Sequence, residues 1–116
     1  MVIAVLEMTL PRGNEAVTIR ALRAFWDTTC ARLGCVGGGV LQEVGHPQTA
    51  LYIEMWQEAA QVELHIRSPR YQQLLALMDT AAARPTLRFN FVAETRGLPW
   101  VEQLRLGTTG TVGDGE

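Results

Sequence analysis

Residues 35–56 read CVGGGVLQEVGHPQTALYIEMW, and on this stretch the fold turns. Cys35 to Val44 is rich in valine and glycine, Gly45-His46-Pro47-Gln48 are turn formers, and Leu51, Ile53 and Met55 then alternate with Tyr52, Glu54 and Trp56. Two β-prone runs joined through Gly and Pro predict a hairpin. Before it, Val2 to Leu10 runs apolar with β-branched members and stops at Pro11-Arg12-Gly13, which predicts a first strand. Asn14 is then a candidate N-cap, and Ile19, Leu22, Trp26, Thr29 and Leu33 recur at helical spacing until Gly34, a candidate C-terminal stop.

After the hairpin a short helix from Glu58 is expected to turn Ala59, Val62 and Ile66 inward. Ser68-Pro69 interrupts it, with Ser68 a candidate N-cap for a second piece whose stripe is Tyr71, Leu74, Leu75 and Met78. Beyond Arg84-Pro85, Thr86 to Thr95 alternates Leu87, Phe89, Phe91 and Ala93 with Arg88, Asn90, Val92 and Glu94, a fourth strand. The order strand, helix, strand, strand, helix, strand predicts a ferredoxin-like α+β fold, both helical segments on one face of an antiparallel sheet. The other face then carries enough apolar side chain to predict a homodimer, sheet against sheet. Gly97 to Leu106, with Trp100 as anchor, is expected to cross to the partner or to seal the sheet edge. Residues 1–106 are read as a single domain, and Gly107 to Glu116, a Gly/Thr run, as a flexible tail.

Composition narrows the chemistry. The chain has 116 residues, 47% apolar and 19% charged, which fits one globular domain. All ten basic residues are arginine, so Schiff-base catalysis by lysine is excluded, and Ser68, the single serine, is the sole candidate for a serine nucleophile. A net charge of −2 with scattered arginines argues against nucleic acid. No apolar run reaches membrane-spanning length, and Glu7 interrupts the apolar N-terminus, so no membrane partner is expected and the location is read as cytoplasmic. Cys30 and Cys35 lack the companions of a zinc site and are read as reduced thiols, and no metal site is expected. Gly37-Gly38-Gly39 lacks the spacing and strand-to-helix setting of a phosphate loop, and is read as a glycine-rich strand start or a bulge.

The informative constellation is Tyr52-x-Glu54-x-Trp56, then His65, then Ser68-x-x-Tyr71. Spacing by two places Tyr52, Glu54 and Trp56 on one strand face, and His65 falls at the margin of the inward stripe of its helix. Trp56 and His65 then face the space between sheet and helices, an aromatic wall beside a titratable group, suited to a planar apolar substrate with an acidic proton. The alternative is that Trp56 is core and His65 a hydrogen-bonded histidine. His46 is read as an exposed loop residue, and Glu54 and Glu94 against Arg88 as a structural ion pair.

The runs Gly34-Cys35-Val36-Gly37, Tyr52-Ile53-Glu54-Met55-Trp56 and His65-Ile66-Arg67-Ser68-Pro69-Arg70-Tyr71 resemble the antibiotic biosynthesis monooxygenase family, most distinctively in the W-x8-H-x-x-S-P element. The likeness extends over Val2 to Thr95. It implies a dimeric α+β barrel with a pocket in each subunit, and oxygenation of a phenol, anthrone or hydroquinone by dioxygen without metal or flavin cofactor. In that picture His65 accepts the proton, Trp56 acts with it, Tyr52 and Tyr71 shape the substrate wall, and Arg88 or Asn90 holds a substrate oxygen. The haem-degrading branch of the fold uses an asparagine on strand one, a tryptophan three residues before the serine and a histidine seven after it. Here Ile3 to Glu7 holds no Asn, and the other two places are His65 and Leu75, so haem binding is not implied. The same architecture also serves small-molecule isomerases and non-catalytic ligand-binding dimers, which stand as the alternative.

Overall fold

Side chains alternate across a strand, so the run VIAVLEMT buries every second residue. In the computed structural model, which describes residues 1–107, it forms β1 (Val2–Thr9) with Val2, Ala4, Leu6 and Met8 buried. α1 (Glu15–Thr29) follows, then β2 (Cys35–Glu43), β3 (His46–Trp56), α2 (Ala59–Arg67), α3 (Tyr71–Asp79), β4 (Thr86–Phe91) and α4 (Leu98–Arg105). The strands form one antiparallel sheet in the order β2-β3-β1-β4, the ferredoxin-like arrangement. Register pairs Leu6 with Tyr52, Ala4 with Glu54 and Val2 with Trp56, so these six side chains share the face that the helices cover.

α1 is shorter than predicted and keeps only Leu22 and Thr29 of its predicted stripe buried. Thr18, Leu22, Phe25 and Thr29 are its buried residues, Trp26 lies at the edge, and Leu33 is 89% exposed beyond the helix end. The helix stops at Thr29, not Gly34. Thr28 Oγ1 donates to Phe25 O at 3.1 Å and Cys30 Sγ to Asp27 O at 3.2 Å, the local side-chain competition that makes such residues poor helix formers.

The hairpin turn is tighter than predicted. Val44 and Gly45 make it, Gly45 with a φ of +85°, so His46 opens β3 instead of sitting in a loop, exposed and 3.7 Å from Glu43 Oε2. The triple glycine is strand with a register shift between Cys35 and Gly37. Gly38, at φ +132°, has a purpose: Trp26 Nε1 donates to Ile53 O at 3.0 Å directly over it, and a Cβ would collide with both partners.

Ser68 ends α2 and does not cap α3, because its hydroxyl donates to His65 O at 2.7 Å. The break lets α2 and α3 present different faces. α2 turns Val62 and His65 inward, leaving Ile66 39% exposed against expectation; α3 buries Tyr71 and Leu74, with Leu75 38% exposed. β4 stops at Phe91, four residues short of the predicted end.

The larger core cluster includes Leu6, Met8, Leu22, Phe25, Tyr52, Tyr71 and Leu74, and a smaller one joins Val2, Trp56 and Val62. On the opposite sheet face, Ile3, Val5, Leu51, Ile53 and Met55 are only half-buried and Leu41 is exposed. α4 buries none of its residues, and Trp100 is 42% exposed, so the 97–106 segment does not seal an edge of its own sheet. Beyond Gly107 the predicted flexible tail lies outside the described residues.

Candidate functional site

β3 places Tyr52, Glu54 and Trp56 under the helices, α2 adds His65 above them, α3 adds Tyr71 and α1 adds Phe25. Their centre is the Glu54 carboxylate, 1% exposed. Tyr52 OH donates to Oε2 at 2.6 Å, Trp56 Nε1 donates to Oε1 at 2.9 Å, and His65 Nε2 lies 3.1 Å from Oε2. Burial alone raises a carboxyl pKa. Here the hydrogen bonds from His65 and Tyr52, the charge of His65 and the bond from Trp56 outweigh burial and hold Glu54 below the ordinary carboxylate range. Conversely, burial first and the Glu54 charge second push the Tyr71 phenol up to about 12, and both act with the Glu54 hydrogen bond to raise Tyr52 further.

A carboxylate only accepts, so His65 Nε2 carries the proton it shares with Glu54. Its other ring nitrogen, Nδ1, is buried and has no hydrogen-bond partner in the described structure. With Nε2 committed to Glu54, Nδ1 sits in an aromatic enclosure: the Trp56 ring lies 5.0 Å away, Tyr71 5.1 Å edge-on and Phe25 5.8 Å, centroid to centroid. The arrangement resembles an acid–histidine pair in which the carboxylate sets the tautomer and steadies the imidazolium once it takes a proton.

Of the residues singled out from sequence, Tyr52, Trp56, His65 and Tyr71 come together. Arg88 and Asn90 do not join them. They pair with Val5 and Ile3 and so occupy the opposite sheet face, where Asn90 Nδ2 donates to Ile3 O at 3.2 Å. The expected ion pair of Glu54 and Glu94 with Arg88 is also absent. Glu54 is on the helix side, while Glu94 pairs with Arg96 at 2.8 Å. Glu54 as the hub was missed, although its shared parity with Tyr52 and Trp56 was the available signal. Phe25 and Arg70 were missed too. Arg70 stacks 4.2 Å over the Phe25 ring, donating to Phe25 O at 2.9 Å and Thr29 Oγ1 at 3.2 Å. Among the described residues no group of three or more His, Cys, Asp or Glu side chains is placed to hold a metal ion, and no helix is long and apolar enough to cross a membrane.

The sequence matches the family model for antibiotic biosynthesis monooxygenases over residues 1–77, a span that contains every member of the Glu54 cluster. No curated protein matches it. Among solved structures, a Deinococcus radiodurans protein that bears the same family name superposes with a TM-score of 0.75 at 19% identity, over 84% of this chain and 98% of that one. A Nitrosomonas europaea protein of the same family name gives 0.71 at 13% identity, over 81% and 100%. SnoaB of Streptomyces nogalater, described as a cofactor-independent oxygenase, gives 0.69 at 16% identity, over 81% and 94%. At these identities the likeness is one of fold.

Proposed function

Since this chain belongs to the antibiotic biosynthesis monooxygenase family, we propose that it is a cofactor-independent monooxygenase that oxidises a quinol- or phenol-type aromatic with dioxygen. One observation carries the reading: His65, held through Nε2 by Glu54, keeps an unpartnered Nδ1 inside an aromatic enclosure. That nitrogen takes the acidic proton of the substrate, and Glu54 stabilises the imidazolium. The resulting anion is itself the reductant. It passes an electron to dioxygen, the substrate radical and superoxide combine, the ring-bound peroxide takes the proton back from His65, and the hydroperoxide loses water, so that an anthrone methylene becomes a carbonyl and the second oxygen atom leaves as water. Trp56 and Tyr71 bound the site, and Tyr52 helps hold the Glu54 carboxylate; water is kept out because these groups are buried.

The half-buried apolar sheet face supports a homodimer, sheet against sheet, with α4 reaching the partner subunit. The cytoplasm is the proposed location. A small-molecule isomerase or a non-catalytic ligand-binding dimer is the second reading, favoured by the complete enclosure of His65, which is 0% exposed.

Oxygen uptake with a panel of hydroquinones and anthrones, in the presence of a chelator, decides between them. The expected result is uptake above the uncatalysed rate, lowered about 10²- to 10⁴-fold in His65→Ala, the usual worth of a positioned proton acceptor. Uptake at the uncatalysed rate across the whole panel would refute the oxygenase.

A further inference from the structure

α1 and α3 do not close against each other along their whole length. An open groove of about 640 Å³ runs between them, lined by Ala21, Ala24, Phe25, Arg70, Ala76 and Leu77 together with Thr28, Gln73 and Thr80. Alanines on both helices leave the space. The walls are apolar apart from three uncharged polar side chains and one cation, Arg70.

Arg70 is held in a defined position. Two of its five N–H donors are used, one on the buried Thr29 hydroxyl and one on the Phe25 carbonyl, and its guanidinium carbon lies 4.2 Å over the centre of the Phe25 ring. Among the described residues it has no carboxylate partner, and its remaining donors meet no acceptor. A mostly apolar groove with one fixed, uncompensated cation complements a flat apolar molecule bearing one oxyanion. Phe25 belongs to both places: it lines the groove and lies 5.8 Å from the His65 ring.

We propose that the groove between α1 and α3 binds a planar aromatic anion whose oxyanion is held by Arg70. The proposal does not rest on the oxygenase reading.

The probes are 2-naphthoate and its neutral counterpart 2-naphthalenemethanol, titrated into the full chain and followed by amide chemical shifts. Naphthoate is expected to perturb Ala21, Ala24, Phe25, Gln73 and Ala76, and to bind about 10-fold or more tighter than the alcohol, the worth of one charge-assisted contact. Arg70→Met should abolish that preference and Arg70→Lys should keep part of it. Because Arg70 also ties α3 to α1, Gln73→Glu serves as a second variant. It keeps the Arg70 side chain, sets a negative charge in the groove, and should weaken naphthoate binding about 3- to 10-fold while leaving the alcohol unchanged. Equal affinity for the two probes, shifts confined to other elements, or a charge preference that survives both Arg70→Met and Gln73→Glu would overturn the site. Charge-selective binding without oxygen uptake refutes the oxygenase and leaves the groove standing; uptake without charge selectivity does the reverse.

Discussion

Replacement of Glu54 tests the cluster most directly. Tyr52 and His65 both bond Oε2, and Trp56 bonds Oε1. In Glu54→Gln an amide oxygen in the Oε2 position keeps two of the three bonds, but the amide nitrogen then faces the indole N–H of Trp56, donor against donor. One buried donor left without an acceptor costs about 1–3 kcal/mol. Glu54→Leu orphans all three donors, and breaking a buried charged cluster from one side costs about 3–5 kcal/mol. Stability of a domain is only about 5–15 kcal/mol in total, so the second change approaches the limit of folding. Urea unfolding followed by tryptophan fluorescence at pH 7 measures both, at one fixed protomer concentration because association shifts apparent stability. With a slope near ~2 kcal/mol per molar urea, the Gln variant should move the midpoint down by about 1 M. A Glu54→Leu protein within ~1 kcal/mol of the parent, or more stable than Glu54→Gln, would refute the claim that this carboxylate organises the site.

The same group sets the acid limit. Its pKa is lowered in the folded state, so its stabilisation is present above the ordinary carboxylate value of 4.5 and drains away as pH falls through the folded value; a urea midpoint measured from pH 6 to 3 should drop, and drop less in Glu54→Gln. The alkaline limit has the opposite origin. Tyr71 is raised from 10.0 to about 12, so stability present below pH 10 should decline between pH 10 and 12, with a smaller decline in Tyr71→Phe. Gly38→Ala should cost about 2 kcal/mol or more, because positive φ is compounded by collision with Ile53 O and Trp26 Nε1, whereas Gly39→Ala, also at positive φ but facing open space, should cost about 1 kcal/mol less by thermal melting. If the sheets pair, Ile53→Asp places a charge in that contact, and light scattering at micromolar concentration should read a monomer where the parent reads a dimer; a monomeric parent would refute the pairing.

The order of elements was legible in the sequence because each element writes its own period: alternation in β1, β3 and β4, three-and-four spacing in the helices, Gly and Pro between them. Tyr52, Trp56, His65 and Tyr71 were legible as a group for the same reason, since parity and helical phase are local. Phase errors of one residue were enough to mislead. Ile66 was turned inward and His65 left at the margin, where Val62 and His65 are in fact the buried pair. In α1 Leu22 and Thr29 are buried as expected, but Thr18 and Phe25 take the inward places given to Ile19 and Trp26.

What the sequence by itself determined, then, is the alternation of strands and helices, the family likeness, and the exclusion of lysine and most serine chemistry. Which partner each side chain meets was decided only by tertiary structure. Glu54 and Arg88 looked complementary, yet strand register sends them to opposite faces of one sheet, and the carboxylate finds its donors on β3 itself and, eleven residues on, across a turn in α2. Arg70 reaches Phe25 across 45 positions of chain. Register and helix packing are properties of the assembled chain, set by the sum of many contacts, and no local period encodes them.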